Sequence, residues 1–166
     1  MANEINAKLV LEDGSVYPGT LFGDEGQLGR VAELVFNTSM VGYQEILSDQ
    51  SYTDQFVVMT YPLIGNYGMT DEDYETHNLT IGGMIVREYN DQPSNFRYTK
   101  TLSEVMIEYH IPGLCGIDTR KLTRSIRDHG SRRAALVPID MPVEEAIALI
   151  EATPVPHDQV SRVSCK

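Results

Sequence analysis

The sequence predicts a mixed α/β domain in which a meander or barrel-like sheet joins a helix-covered sheet. Three observations predict it. Short β-branched and aromatic runs separated by turn residues crowd the first half of the chain. The second half alternates short apolar runs with segments of helical period. The chain has 166 residues, 42% of them hydrophobic and 22% charged, which suits one globular domain able to build a core without staples.

In order along the chain, Lys8–Leu11 and Val16–Phe22 read as strands around Glu12-Asp13-Gly14, a turn signal that favours a hairpin. Val31–Asn37 reads as a third strand and Phe56–Tyr61 as a fourth, both rich in β-formers. Met40–Asp49 is a loop with at most a short helix. The Pro, Gly and Asn of Pro62–Gly68 argue against any regular element there. Thr80–Arg87 reads as another strand. Thr101-Leu102-Ser103-Glu104 fits a capping box, with Leu102, Val105, Met106 and Tyr109 at helical spacing behind it. Ile111–Ile117 is short and apolar, a buried strand despite Pro112, Gly113 and Gly116. Asp118 can cap a helix that turns Leu122 and Ile126 inward and stops at Gly130. Ala134–Val137 gives one more strand. A last helix starts near Asp140–Pro142, with Val143, Ala146, Ile147 and Ile150 on one face. Residues 1–152 form the domain, and 153–166, with Pro154, Pro156 and no periodicity, read as a linker.

Charge and motifs exclude several functions. Thirteen basic against 24 acidic residues give a formal net charge of −11, which disfavours nucleic acid and anionic lipid as partners. No apolar run approaches the ~18 residues of a membrane-spanning helix. No signal peptide is visible at Met1, and Cys115 and Cys165 form no disulfide framework, which points to the cytoplasm. The scattered His77, His110, His129 and His157 offer no metal-ligand spacing, and Asp71-Glu72-Asp73 with Glu75 lacks the pattern of a calcium loop. No phosphate-binding Gly-rich loop is present.

Two features remain. Cys115, in Gly113-Leu114-Cys115-Gly116, superficially matches a nucleophile elbow, but the second Gly comes one residue early, and a buried inert thiol is the competing reading. Arg120, Lys121, Arg124, Arg127, Arg132 and Arg133 concentrate six of the thirteen basic residues. Arg120, Arg124 and Arg127 share one helical face, which suits either an acidic or phosphate-bearing partner or a plain solvated face. The segment Phe36–Gly68 is dense in Tyr, Asn, Gln, Ser and Gly; its physics suits recognition loops and structural turns equally. Tyr43, Gln44, Glu45, Asp49, Tyr61 and Asn66 are its candidate recognition residues.

That segment, with Val35-Phe36-Asn37-Thr38-Ser39-Met40, Gly42-Tyr43-Gln44-Glu45-Ile46-Leu47, Asp49, Ser51-Tyr52 and Thr60-Tyr61-Pro62-Leu63-Ile64-Gly65-Asn66, closely resembles the small subunit of carbamoyl phosphate synthetase. The resemblance continues through Leu9-Val10-Leu11-Glu12-Asp13-Gly14, Ser94-Asn95-Phe96-Arg97 and Gly116-Ile117-Asp118-Thr119-Arg120-Lys121-Leu122-Thr123-Arg124, up to about Val137. It implies the N-terminal domain of that subunit, with a three-layer β/β/α swivelling fold, followed by a linker into a class I glutamine amidotransferase domain that these residues do not include. It implies a ligase that makes carbamoyl phosphate from glutamine, bicarbonate and two ATP for arginine and pyrimidine synthesis. Ammonia released from glutamine travels to a large subunit, which uses the ATP and magnesium. The family's Cys-His-Glu triad lies outside this chain, so the resemblance implies no catalytic residue, metal or cofactor here and no activity of the chain alone. The partners it implies are glutamine, the glutaminase domain and the large subunit. The family's Asp-Pro-Ser-Tyr motif, whose Ser contacts glutamine, corresponds to Asp49-Gln50-Ser51-Tyr52, and Gln50 in place of Pro removes a fixed φ before Ser51. Two rivals stand beside this reading: a stand-alone hydrolase using Cys115, and a partner- or anion-binding module using the Arg120–Arg133 patch.

Overall fold

The computed structural model describes residues 4–38, 43–60, 63–64, 79–89 and 101–154, with only the backbone at residues 43, 44, 63 and 64. Strands β1 (Ala7–Leu11) and β2 (Val16–Gly23) form the expected hairpin. Its turn needs Gly14, at φ +91°, and is closed by Leu11 N–H to Ser15 O at 2.9 Å. The chain continues through β3 (Arg30–Asn37), α1 (Tyr43–Ser48), a 3-10 turn at Gln50–Tyr52, and β4 (Gln55–Met59). After β5 (Leu63–Ile64), β6 (Gly83–Ile85) and β7 (Glu88–Tyr89) come α2 (Leu102–Glu108), β8 (Pro112–Cys115), α3 (Thr119–His129), β9 (Arg133–Pro138) and α4 (Val143–Ala152).

Among the described residues, seven strands close a barrel in the order β1-β2-β8-β6-β4-β3-β9. Four of them, β3, β4, β6 and β8, run parallel, and the remaining pairings are antiparallel. Closure corrects the expectation of two joined sheets. Strand β9 pairs with β1 on one side and β3 on the other, and β8 inserts between β2 and β6, so the second half of the chain completes the sheet of the first. The architecture this establishes is mixed α/β with a barrel-like sheet.

Strand alternation divides the core. Leu9, Leu11, Leu34, Phe56, Val58, Ile85, Leu114 and Leu136 belong to one buried cluster, joined by Leu122 and Ile126 of α3. The opposite faces carry Val57, Met59, Met84 and Cys115, packed with Ile46 and Leu47 of α1 and Leu102, Val105 and Met106 of α2. Val10, Ala135 and Val137 pack with Ala146 and Ile150 of α4. The caps follow the sequence. Thr101 and Glu104 form the reciprocal capping box of α2, Asp118 accepts from Lys121 N–H at the start of α3, and Gly130 ends that helix at φ +83°.

Two local expectations change. Leu63–Ile64 lies in the segment expected to be irregular, yet it pairs in parallel with Glu88–Tyr89 as a two-residue strand. The strand expected over Thr80–Arg87 shortens to Gly83–Ile85. Arg30 donates to Gly82 O at 2.8 Å, and Ile81 pairs instead with Thr53.

Candidate functional site

The turn carrying Ser51 is built from its own neighbours. Asp49 Oδ1 accepts from Ser51 N–H at 2.9 Å and from the Ser51 hydroxyl at 2.7 Å, so Asp49 caps the 3-10 turn and orients the serine. Thr53 Oγ1 donates to Gln50 O at 2.7 Å and lies 2.7 Å from Thr80 Oγ1, which ties the turn to the chain entering β6. Gln50 opens the turn, a position at which proline's fixed φ is favourable but not required, because these hydrogen bonds already define it. Asn37 Nδ2 donates to the Tyr52 hydroxyl at 3.0 Å, joining the turn to the end of β3. Ser51 itself is exposed, its side chain accessible from solvent.

The other candidate recognition residues are distributed unevenly. Glu45 is exposed on α1, where its carbonyl accepts from Ser48 Oγ at 3.1 Å. Tyr43 and Gln44 lie on the backbone of α1, and their side chains fall outside the described residues, as do Tyr61, Asn66, the Asp71–Glu75 cluster, His77, His157 and Cys165. The carboxylate of Asp49 is engaged inside its own turn.

Cys115 is 6% exposed at the end of β8, and burial pushes its thiol above the ordinary range. The nearest histidine in sequence has another task. His110 sits at φ +58° just after α2, with His110 N–H to Ile107 O at 3.2 Å and Ile111 N–H to Met106 O at 2.7 Å, the paired bonds of a Schellman helix end. Its Nδ1 lies 3.1 Å from Asp24 Oδ2. The Gly26 N–H chiefly, helped by His110 and Gln27, holds the Asp24 carboxyl below its usual range against the opposing effect of burial. The arrangement does not make a thiol–imidazole pair. Among the described residues, no group of three or more His, Cys, Asp or Glu could hold a metal.

The basic stretch is divided by the fold. Arg132 pairs with Asp13. Arg133 N–H donates to Glu12 Oε1 at 3.2 Å, and its Nη1 donates to Thr153 O at 2.6 Å. Both line a cleft of about 660 Å3 with Arg30, and so do not extend the α3 patch as expected. Lys121 lies 5.7 Å from the centre of the Tyr17 ring. Arg120, Arg124 and Arg127 instead line a separate pocket of about 430 Å3 with Thr60, Thr119, Thr123 and Arg87. Sequence reading missed Arg87 and Thr123, because Arg87 is remote in sequence and Thr123 looks like an ordinary helical residue.

The family described as "Carbamoyl-phosphate synthase small chain, CPSase domain" matches residues 9–136. A carbamoyl phosphate synthase pyrimidine-specific small chain of Halalkalibacterium halodurans is 52% identical over 159 residues, covering 96% of this chain and 43% of that protein. Carbamoyl phosphate synthase small chains of Fusobacterium nucleatum and Oceanobacillus iheyensis are 51% and 49% identical, over 97% and 95% of this chain and 44% and 42% of their own lengths. The chain thus spans well under half the length of these curated relatives. Among solved structures, an aminopeptidase from Aneurinibacillus sp. strain AM-1 aligns with 81% of this chain and 30% of its own at 11% identity and a TM-score of 0.43, too weak a likeness to carry any inference. With 128 contiguous positions matched (9 through 136) and identity near one half across almost its whole length, the chain belongs to the carbamoyl-phosphate synthase small-chain family and corresponds to its CPSase domain.

Proposed function

We propose that this chain serves as the non-catalytic N-terminal domain of the glutaminase subunit of glutamine-hydrolysing carbamoyl phosphate synthase. In that role it takes part in making carbamoyl phosphate from glutamine, bicarbonate and two ATP, in the cytoplasm, for arginine and pyrimidine synthesis. The ATP and magnesium belong to the large subunit, and this domain brings no cofactor of its own. Its partners are the glutaminase domain, the large subunit and glutamine. The finer three-layer β/β/α swivelling description belongs to the same proposal, supported by the family match and by helices packed on the outer faces of the sheet.

The observation that carries the reading is the presentation of Ser51. A hydroxyl on an exposed turn, held by Asp49 and anchored through Tyr52 to Asn37, can reach a polar amide substrate bound between domains. Binding glutamine would require the hydroxyl to exchange its local Asp49 partner for a substrate oxygen, or to accept from the substrate amide while still donating to Asp49.

The test combines the chain with the glutaminase domain of the same subunit and measures ammonia release from glutamine. Activity only in the combination, with KM for glutamine raised about tenfold or more by Ser51→Ala and kcat less affected, is the expected result for loss of one substrate hydrogen bond. Ammonia release by this chain alone, or an unchanged KM in Ser51→Ala, overturns it.

A further inference from the structure

We propose that the pocket lined by Arg87, Arg120, Arg124 and Arg127 binds a phosphate-bearing small molecule. The inference goes beyond the reading of Ser51 and does not depend on it.

The first ground is position. Thr60 follows the end of β4, Arg87 follows the end of β6, and Thr119 opens α3 just after β8. These are neighbouring parallel strands, so the pocket lies outside the carboxyl ends of a parallel sheet and against the first turns of the next helix. Ligands of α/β proteins gather at such a place because loops there can vary while the strands hold them rigidly, and the helix N-terminus adds positive potential.

The second ground is charge. Four arginines line one concavity, and among the described residues no carboxylate lines it with them. Arg127 lies 3.6 Å from the neighbouring Asp128, while Arg87, Arg120 and Arg124 have no ion pair among the described residues. In a chain of net charge −11, with 24 carboxylates available, four exposed arginines share this pocket with no carboxylate among its described residues, a local concentration of positive charge that attracts an anion. They are also assembled from two separate elements, the end of β6 and α3, so the cluster is a product of the fold and not of one basic run.

The third ground is the hydroxyl of Thr123. Its Oγ1 is buried with no hydrogen-bond partner among the described residues, in a residue that lines the pocket. A buried hydroxyl of this kind is costly unless something completes it, and a turn of the Thr123 side chain about χ1 toward the pocket would let an anion's oxygen do so.

The chemistry selects among anions. Guanidinium groups grip phosphate in bidentate fashion, and several converging from different sides match a tetrahedral dianion better than a single planar carboxylate. A volume of about 430 Å3 accommodates a small phosphorylated metabolite. An acidic protein segment is the competing occupant.

The test is calorimetric titration of the 166-residue chain with inorganic phosphate, and separately with a glutamate-rich peptide, at constant ionic strength. Saturable phosphate binding in the millimolar range or tighter is expected. Arg87→Gln and Arg124→Gln should each weaken it about tenfold or more, and Thr123→Val several-fold. Lys121→Gln, on the same helix but beside Tyr17, should change it less than about twofold. Should a Gln variant fail to fold, Arg87→Lys and Arg124→Lys keep the charge, lose the bidentate fork and should still weaken binding. Absence of saturable phosphate binding overturns the proposal. So does phosphate binding that survives the Arg87 and Arg124 substitutions, or an arginine-dependent response to the peptide alone.

Discussion

Asn37 Nδ2 donates to the Tyr52 hydroxyl at 3.0 Å, so the residue ending β3 steadies the turn that presents Ser51. The same Asn37 carbonyl accepts from Thr60 N–H and from Thr60 Oγ1, both at 3.1 Å, just after β4. One polar residue at a strand end therefore joins the serine turn and the segment leading toward the arginine pocket.

Tyr52→Phe removes that acceptor while keeping the ring. A partly buried neutral hydrogen bond is worth about 0.5–1.5 kcal/mol, and a loss of that size is expected in denaturant unfolding. Amide exchange at Ser51 and Thr53 should accelerate more than at β1 or β9, because the loss is local to the turn. Equal acceleration throughout the domain would show that the bond supports the whole fold instead.

Gly113→Ala tests the packing between β8 and β2. An added Cβ would lie 2.5 Å from Phe22 Cζ, and the Phe22 ring is itself stacked on Tyr89 with centroids 4.3 Å apart. The ring cannot retreat without disturbing that stack, so destabilisation of about 1–3 kcal/mol is expected. Thermal unfolding measures it, and a second substitution, Phe22→Leu, should recover part of the loss by making room.

The Asp13 carboxyl loses some ease of ionisation to burial, but its hydrogen bonds to Ser15 and the charge of Arg132 outweigh that and hold it below 3.8. A lowered carboxylate contributes stability above its unfolded value and loses it as pH falls through the folded value. Asp13→Asn should therefore cost stability near neutrality and flatten the loss of stability below about pH 4, compared with the parent in urea titrations at each pH. An unchanged acid profile would mean that the Asp13–Arg132 pair adds nothing net.

Burial raises the Cys115 thiol above 9.0, so the folded chain holds its proton longer than the unfolded chain does. Stability should then fall as pH rises past the unfolded value, with the native thiol alkylated only as fast as the domain opens. Mass spectrometry of the Cys115 peptide after iodoacetamide treatment reads that rate. Modification as fast in the native state as in urea would contradict the buried position.

Much of the local structure is legible in the residues themselves. The Glu12-Asp13-Gly14 turn, the Thr101–Glu104 box, the Asp118 cap and the Gly130 stop each depend on groups within a few positions of one another. The alternation of β1, β4 and β9 is likewise visible, because two-residue periodicity is written along a single strand. The family, too, is readable from ordered motifs over most of the chain.

Tertiary structure alone decided the rest. Whether β9 closes the barrel depends on its partners β1 and β3, which stand far away in the chain, and no local period encodes that register. The same long-range pairing separates Arg132 and Arg133 from the helix they follow and engages them with Asp13, Glu12 and Thr153. It brings Arg87 beside Arg120, Arg124 and Arg127. Sequence determined which residues could form turns, caps and inward faces, since those are short-range consequences of side-chain chemistry. The fold determined which charges meet, because a Coulomb interaction depends on distance in space and not along the chain.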